Sequence, residues 1–233
     1  MTRSAFVRAR RPEHKQQRRE AILAAARELA LASGVRNVSL GAVADAVGLA
    51  KSNIVRYFGT REEIYLILAA EEWQQWGAAI NARLRDRTGT DEVVAALSET
   101  LADRPLLCDL LSHTTTSLEH NVSVPAARAF KRAIIDVIAD VGTCVSHATD
   151  LTEAEGVELA AAATALAGLL YPMANPSAAL AELYAQDPDI AAACPVMLPT
   201  LVRTLSALAA GLPAIRPAGS LMSESGQSTP GPA

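Results

Sequence analysis

The sequence predicts an all-α protein, with an N-terminal three-helix helix-turn-helix domain and a larger C-terminal helical domain. Half of the 233 residues are apolar but only 4% are aromatic, and the abundant alanine favours helix. We find no sustained alternation of apolar and polar residues rich in Val, Ile, Thr and aromatics, which is the pattern of strands. Apolar residues recur instead at helical spacing between capping residues, glycines and prolines.

Residues 1–13 form a predicted flexible basic arm with four arginines. The arm is either a disordered terminus or a segment that contacts phosphates or the minor groove, and both interpretations stay open. Pro12 separates it from a first helix, predicted over residues 13–32, and Gly34 ends that helix. The apolar stripe of this helix consists of Ile22, Leu23, Ala26, Leu29 and Ala30. The helix supports the pair that follows it.

Residues 39–63 predict two short helices joined by a tight turn, followed by the start of a third. Ser39 is a good N-cap for the first helix. Gly48 can adopt the left-handed conformation that ends this helix, because it has no Cβ. The second helix begins at Lys51. Two short helices across a turn containing glycine are the helix-turn-helix unit, so the stretch predicts a DNA-reading motif.

The second helix of this pair carries side chains suited to the major groove. Asn53 can pair with adenine, Arg56 with guanine, and Val55 can meet a thymine methyl group. Lys51 lies at the helix N-terminus, where the helix dipole also favours a phosphate. Ile54 and Phe58 are expected to point inward and hold the motif together.

Charge is divided between the two ends of the chain. Residues 1–65 contain 12 Lys and Arg against 6 Asp and Glu, whereas residues 66–233 contain 9 against 19. The net charge of −4 is therefore the sum of +6 in the first part and −10 in the second. A basic N-terminal part on an acidic body attracts phosphate at one end only. Chance clustering of solvated charges would be the better explanation of this division if the helix-turn-helix were absent.

At these residues the chain resembles the TetR-type transcriptional regulators. The matching segments are 43–49, Lys51, 57–58 and 60–64, within a resemblance that covers roughly residues 14–66. The resemblance implies that Ser39 and Tyr57 contact phosphates and that Arg61 anchors the DNA backbone. It also implies that the reading helix faces the operator through Lys51, Ser52, Asn53, Val55, Arg56 and Tyr57. The sequence departs from the family at Ala50, where Ser or Thr usually caps the reading helix, and at Val55, where tyrosine is common.

The domain boundaries follow from the breaks in the chain. Residues 14–62 form the predicted DNA-binding domain, residues 63–212 the body, and residues 213–233 a disordered tail dominated by Pro, Gly and Ser. Thr60 and Glu63 form a capping box that opens a lever helix reaching about residue 87. Further helices are predicted over residues 91–102, 105–120, 123–147, 152–171, 177–186 and 190–210. The helix 152–171 opens with a second capping box, Thr152 with Glu155.

The body contains the candidate ligand contacts. A ligand pocket needs a few polar groups among apolar walls. The candidate polar groups are His113, Thr114, Thr116 and Ser117, and the candidate walls are Trp73, Trp76, Phe130 and Tyr171. Each of these residues is equally compatible with an ordinary core or surface position.

No catalytic, metal or cofactor site is predicted, so the chain is not expected to be an enzyme. His113 and His120 are seven residues apart and lack the spacing that holds an ion. Ser112 and His113 diverge by about 100° on a helix, so they do not face one another as nucleophile and base.

The resemblance implies that the body binds a small molecule and that two late helices form a homodimer. The helices 152–171 and 198–210 fit this role, because each would expose a broad apolar face on a monomer. The predicted function is a repressor that binds a palindromic operator and is released when an effector moves the lever helix. A ligand-independent DNA-bridging protein and an all-helical enzyme with a DNA-binding head are the alternatives. The sequence determines neither the effector nor the operator.

The sequence also predicts a cytoplasmic location. Three cysteines without a CxxC motif and an N-terminus without an apolar signal core point to a reducing compartment. The most membrane-like run, residues 159–174, is shorter than the roughly 20 residues of a spanning helix, so no membrane span is predicted.

Overall fold

The computed structural model of the protein describes residues 3–216, with side chains described from residue 13 onward. Within residues 3–216 the chain forms eleven α-helices and no strand, which confirms the predicted fold class. The helices are α1 (Arg3–Ser33), α2 (Leu40–Ala46), α3 (Lys51–Phe58), α4 (Arg61–Leu84), α5 (Thr90–Ala102), α6 (Pro105–His113), α7 (Val124–Ala148), α8 (Glu153–Ala174), α9 (Ala178–Gln186), α10 (Pro188–Ala192) and α11 (Met197–Gly211). Turns of 3-10 helix occupy Val35–Asn37 and Leu212–Ile215, and a π-helical turn occupies Thr114–Leu118.

Helices α1 to α3 form the head of the molecule. Ser39 caps α2 as predicted, because its Oγ accepts a hydrogen bond from the backbone N–H of Ala42 at 3.1 Å. Gly48 has a φ of +64°, the left-handed conformation expected at the turn between α2 and α3. The core of the head is made of Ile22, Ala26, Val43, Ala44, Ile54 and Phe58. The helix-turn-helix prediction is confirmed.

Helix α1 begins earlier than predicted. It starts at Arg3 and passes through Pro12, where the prediction placed a break. Many of the residues around Pro12 are Arg, Ala, Gln and Glu, which favour helix strongly enough to offset one lost backbone hydrogen bond. The predicted arm covers residues 1–13, and the side chains of residues 1–12 lie outside the described part of the structure.

Helix α4 connects the head to the body. Its inner face buries Trp73, Trp76 and Ile80, and α5 and α7 pack against it. Helix α7 packs in turn on α8, α8 on α6, and α11 lies across α5 and α8. Among the described residues, α9 and α10 contribute no buried side chain.

Helices α7 and α8 cross at backbone contact. A Cβ at Gly142 would lie 2.8 Å from the backbone nitrogen of Val157, and a Cβ at Gly156 would collide with the carbonyl oxygen of Gly142. Since no side chain fits between the two backbones, the crossing depends on both glycines. It fixes the position of α7 against α8.

Two predicted helix ends in the body differ from the structure. The capping box of Thr152 with Glu155 is present, but α8 continues through Pro172 to Ala174. Pro172 lies in the last turn, where its missing N–H costs only one hydrogen bond of the ladder. The helix predicted over residues 190–210 is divided into α10 and α11, because the chain breaks before Pro195.

The boundary predicted for the disordered tail, at residue 213, lies too early in the chain. Residues 213–215 belong to the 3-10 turn Leu212–Ile215. The guanidinium of Arg216, which follows this turn, donates from Nε and Nη2 to the carboxylate of Glu155 at 2.6 Å. These hydrogen bonds lower the pKa of Glu155 to about 2. The remainder of the predicted tail, residues 217–233, lies outside the described residues.

Two helical stretches are long and apolar enough to cross a membrane when judged by length and composition alone. They are α8, with 22 residues, and the stretch Pro188–Ile215. The prediction that this segment is too short to span a membrane is therefore wrong, because α8 is 22 residues long and not limited to residues 159–174. The core helices of soluble proteins have the same composition, and α8 packs against α5, α6, α7 and α11.

Candidate DNA-binding surface and ligand cavity

Helix α3 turns its polar residues to solvent and its apolar residues to the core of the head. Ile54 and Phe58 are buried, as predicted, and Tyr57 is half-buried beside Phe58. The exposed residues of this helix are Lys51, Ser52, Asn53, Val55 and Arg56. Ser39 is exposed at the start of α2, and its hydroxyl proton stays available while the oxygen caps the helix. Together these residues form a surface that can reach base edges and phosphates.

The N-terminus of α3 has no side-chain cap. Ala50 is extended, with φ −70° and ψ 143°, and provides no side-chain acceptor for the first N–H groups of the helix. The departure from the family pattern noted in the sequence therefore has a structural counterpart. Uncapped N–H groups beside Lys51 favour an anion.

Two further cations lie beside this surface, and the sequence did not single them out. Lys15 and Arg18 of α1 line a cleft of about 330 Å³ with Asn53, Arg56 and Tyr57. Their spacing of three residues places them on one face of α1, which is the signal that could have identified them. No described lining residue of this cleft is acidic. The positive surface is therefore broader than α3.

Arg61 occupies a different place from the one predicted. Its Nε donates to the carbonyl oxygen of Val38 at 2.5 Å, and its Nη2 donates to that of Val35. Its Nη1 pairs with Glu62 at 3.3 Å, and the guanidinium lies 4.7 Å from the ring centroid of Tyr65. Burial raises the pKa of this tyrosine to about 12. The guanidinium ties the first turn of α4 to the segment before α2, a role that does not fit the predicted anchoring of DNA.

The same segment is held from the body by α6. The Asp109 carboxylate accepts a hydrogen bond from the backbone N–H of Val35 at 2.6 Å. Its other oxygen lies 3.5 Å from Nε2 of His113. Burial lowers the pKa of His113 below its ordinary value, against the opposing effect of Asp109. Asp109 thus connects the body directly to the turn that precedes the helix-turn-helix.

A second connection lies at the start of α4. Thr60 caps α4 by accepting from the Glu63 N–H at 3.1 Å, and its hydroxyl donates to the carbonyl oxygen of Asn121 at 2.8 Å. The other half of the predicted capping box is wrong, since Glu63 does not reach back to Thr60. The Glu63 carboxylate accepts instead from the backbone N–H of Ser123 at 2.8 Å. The C-terminal end of the chain between α6 and α7 is therefore bonded to the start of α4, directly after the head.

A groove-like cavity of about 510 Å³ lies in the body between α4, α6, α7 and α8. Apolar side chains form most of its walls: Leu111, Ile134, Ile138, Ala161, Ala165, Leu169 and Pro172, with Trp73 from α4. Polar groups come from Ser112, Thr114, Thr115 and Thr164. Lys131 and Glu119 also line the cavity and form an ion pair of 2.6 Å. An apolar cleft of this size with a few polar groups is typical of a small-molecule site.

Of the eight described side chains predicted to contact a ligand, two line this cavity, namely Trp73 and Thr114. Trp76 is fully buried and donates from Nε1 to Thr100 at 3.1 Å. His113 faces Asp109, and Phe130 lines a separate cleft with Arg19 and Phe58. Thr116 and Ser117 are exposed on the π-helical turn, and Tyr171 lies outside the cavity wall. The prediction assumed a regular helix over residues 105–120, and the π-helical turn alters which residues face inward.

The chain matches two family descriptions in succession. Residues 22–68 match "Bacterial regulatory proteins, tetR family", and residues 70–216 match "Tetracyclin repressor-like, C-terminal domain". The second match alone covers more than half of the chain. No curated protein sequence matches the chain.

Several solved structures share the fold. FadR of Thermus thermophilus, a TetR family transcriptional repressor in complex with lauroyl-CoA, has a TM-score of 0.53 and 16% identity, covering 92% of this chain and 99% of that one. FadR of Bacillus halodurans, a fatty acid degradation regulator, has a TM-score of 0.51 and 14% identity, covering 81% and 96%. RolR in complex with resorcinol has a TM-score of 0.51 and 16% identity, covering 84% and 96%. At these identities the similarity establishes the fold alone.

A helix-turn-helix head joined to a helical body with a groove-like cavity is the architecture of a DNA-binding transcriptional regulator. By the matches in both domains, the chain belongs to the TetR family. This fold points to a regulator and not to an enzyme.

Proposed function

We propose that the protein is a repressor that binds a palindromic operator as a homodimer and leaves it when a small molecule enters the body cavity. One observation carries the proposal. The chain segment that provides part of the cavity wall, from Leu111 to Glu119, is flanked by hydrogen bonds on both sides: Asp109 accepts from Val35 of the head, and residues 121–123 bond to Thr60 and Glu63 at the start of α4. A molecule that displaces this segment would act on the head at Val35 and on the start of the lever helix α4.

In the proposed complex α3 lies in the major groove. Arg56 donates to a guanine, Asn53 pairs with an adenine, and Val55 meets a thymine methyl group. Ser39, Lys51, Ser52 and Tyr57 contact phosphates, with Lys15 and Arg18 extending the contact along the backbone. The exposure of all these side chains, complete or partial, supports the arrangement. Arg61 is not included, because its donors bind the protein itself.

The proposed dimer forms through α8 and α11. Leu201, Leu205 and Ala209 of α11 face the protein core, whereas Leu198 and Val202 are each 37% exposed on the outer face. On α8 Met173 is 41% exposed and does not line the ligand cavity. Pairing of these faces in a four-helix arrangement would remove apolar surface from water. A two-fold dimer sets its two reading helices about one DNA turn, roughly 34–36 Å, apart.

Release follows from a difference in affinity between two body conformations. The effector favours the conformation in which the segment 111–119 has moved, and this movement changes the hydrogen bonds of Asp109 to Val35 and of Ser123 to Glu63. The lever helix α4 then alters the distance between the two heads. Affinity for DNA falls by the coupling free energy, typically about 1–3 kcal/mol in such systems.

The proposal is tested by selecting DNA sites from a random library with the purified protein and then mapping the protected bases. A short palindrome protected by a dimer is the expected result. Arg56→Ala should weaken binding to this site by about 1–3 kcal/mol. Arg132→Ala, which removes an equal charge from the exposed face of α7, should leave binding unchanged. Broad protection without a palindrome would indicate a DNA-bridging protein and refute the proposal.

A further inference from the structure

We infer that His113 makes the connection between body and head sensitive to pH, so that a proton on its imidazole loosens the hold of Asp109 on the head and releases DNA. The release of DNA rests on the proposed function, whereas the connection itself can be measured without DNA. The inference stands on a cluster of polar groups where the end of α6 meets the segment before α2.

The Asp109 carboxylate is shared between the head and His113. One of its oxygens accepts from the backbone N–H of Val35 at 2.6 Å, and the other lies 3.5 Å from Nε2 of His113. Val35 is buried, so its N–H depends on the carboxylate as an acceptor. At 3.5 Å a neutral imidazole makes only a weak hydrogen bond. The carboxylate is therefore committed to the head while His113 is neutral.

The surroundings of His113 oppose a positive charge. Its side chain is only 23% exposed, and burial disfavours the charged form. Arg36 of the 3-10 turn and Arg61 of α4 add to this effect, because both are cations that face the imidazole. Together they hold the pKa of His113 below its ordinary value of 6.5, against the attraction of Asp109.

The other titratable side chains near Asp109 stay neutral between pH 5 and pH 7. Burial raises the pKa of Tyr65 on α4 and of Cys108 on α6 to about 12, and it also raises that of Tyr171 on α8. The charge of Asp109 contributes to all three shifts in the same direction. Among the described residues of this cluster, His113 is the group that gains a charge at mildly acidic pH.

The direction of the effect follows from the lowered pKa. His113 binds a proton more readily when it is exposed to water than when it faces Arg36 and Arg61. The connected arrangement is therefore fully favoured above pH 6.5 and loses stability as the pH falls below that value. A protonated His113 also competes with the Val35 N–H for the Asp109 carboxylate. Acid thus acts in the same direction as the proposed effector.

The connection is tested on the full-length protein without DNA through the NMR signal of the Val35 amide. Carbon-13 in the glycine carbonyl groups and nitrogen-15 in valine select the amides of valines that follow a glycine. This pair occurs twice in the chain, at residues 34–35 and 156–157. Between pH 7 and pH 5 the Val35 proton should move upfield with a step below pH 6.5, because its bond to the carboxylate weakens. Val157 lies within α8 and should not move.

Two histidine variants assign the step to its cause. His113→Gln keeps a side-chain N–H that can donate to Asp109 but does not titrate, so the Val35 step should disappear. His120→Gln is the matched control, since His120 is exposed on the same connection and its loss should leave the step in place. The Val157 signal shows in each variant whether α8 is folded. A wild-type Val35 proton that stays in place decides against the inference without any variant.

The release of DNA is measured by fluorescence anisotropy with the DNA site that the protein selects. Between pH 7 and pH 5.5 the affinity of the wild type should fall at least about twofold further than that of His113→Gln, with a limit of about tenfold per pH unit for one proton. Comparison of the two proteins removes the contribution of the other histidines.

Three results would overturn the inference. They are an unmoved Val35 signal in the wild type, an equal step in His113→Gln, and equal losses of DNA affinity in the two proteins. A protein that shows the Val35 step but selects no palindrome would contradict the proposed repressor and leave the pH-sensitive connection intact.

Discussion

The head and the body of this regulator are built in opposite ways. The head is held together by side chains such as Ile54 and Phe58, and most of its candidate DNA contacts lie on the outside of one short helix. In the body, α7 and α8 meet at backbone contact through Gly142 and Gly156, and the candidate ligand contacts line a groove between helices. The exposed site of the head can therefore change without unfolding the protein, whereas changes around the body's close crossing strain the fold.

The largest effect is expected where the body is packed most closely. Gly156→Ala places a methyl group against the carbonyl oxygen of Gly142 and should destabilise the protein by about 1–3 kcal/mol or more, measured by urea unfolding. Gly211→Ala is the matched control, since a Cβ there meets no atom within 4 Å. Equal stability of the two variants would mean that α7 and α8 do not cross at backbone contact.

The next effect concerns the contact between the two regions. Asp109→Ala removes the acceptor of the Val35 N–H and should cost about 1–2 kcal/mol of stability, because that donor is left buried and unpaired. Asp109→Asn keeps an acceptor oxygen and should retain most of this stability. Unfolding curves of the three proteins separate the hydrogen bond from the charge. Should Asn behave like Ala, the negative charge and not the acceptor would hold the head.

A smaller effect is expected at the outer surface of the head. Lys15→Gln combined with Arg18→Gln should leave stability unchanged and should reduce the slope of log K against log salt for DNA binding by roughly 1.8, about 0.9 for each phosphate contact. Arg128→Gln with Arg132→Gln on the exposed face of α7 is the control of equal charge. If both pairs lower the slope alike, the effect comes from net charge, and α1 makes no phosphate contact.

The smallest effect is expected at the uncapped start of α3. Ala50→Ser supplies a hydroxyl acceptor for the first turn and should stabilise the head by about 0.5–1 kcal/mol. It should also tighten DNA binding slightly, because the reading helix is better ordered. Ala139→Ser on the exposed face of α7 is the comparison, since a serine inside a helix gives no such gain. An unchanged melting temperature would show that the helix start is fixed by its neighbours.

The candidate surface of the head could be read from the sequence because its residues follow one another. The side chains of residues 51–57 diverge by a fixed angle, so identifying α3 identified its outer face. Arg61 could not be placed in this way, because its partners are the carbonyl oxygens of Val35 and Val38, which a sequence does not reveal. The close position of Lys15 to Arg56 likewise depends on how α1 packs against α3.

The cavity was mostly beyond prediction, since it is formed by side chains from four separate parts of the chain. Trp73 and Trp76 were both named as candidate walls, and only Trp73 lines the cavity. Lys131 and Ile134 join it only through the packing of α7 on α4. On α6 the expected polar residues were close to the site, but the helix does not stay regular. Ser112 lines the cavity in place of His113, which turns to Asp109.

The π-helical turn at Thr114–Leu118 gives this wall a property that an α-helix would lack. The N–H of Glu119 bonds to the carbonyl oxygen of Thr114, five residues earlier, so the turn contains one residue more than an α-helical turn. Rewinding it as α-helix would rotate everything that follows by about 100° and shift it by about 1.5 Å along the axis. The contacts of Asp109 with Val35 and of residues 121–123 with the start of α4 lie on opposite sides of this turn. The extra residue of the turn therefore sets the distance and the relative rotation of these two contacts.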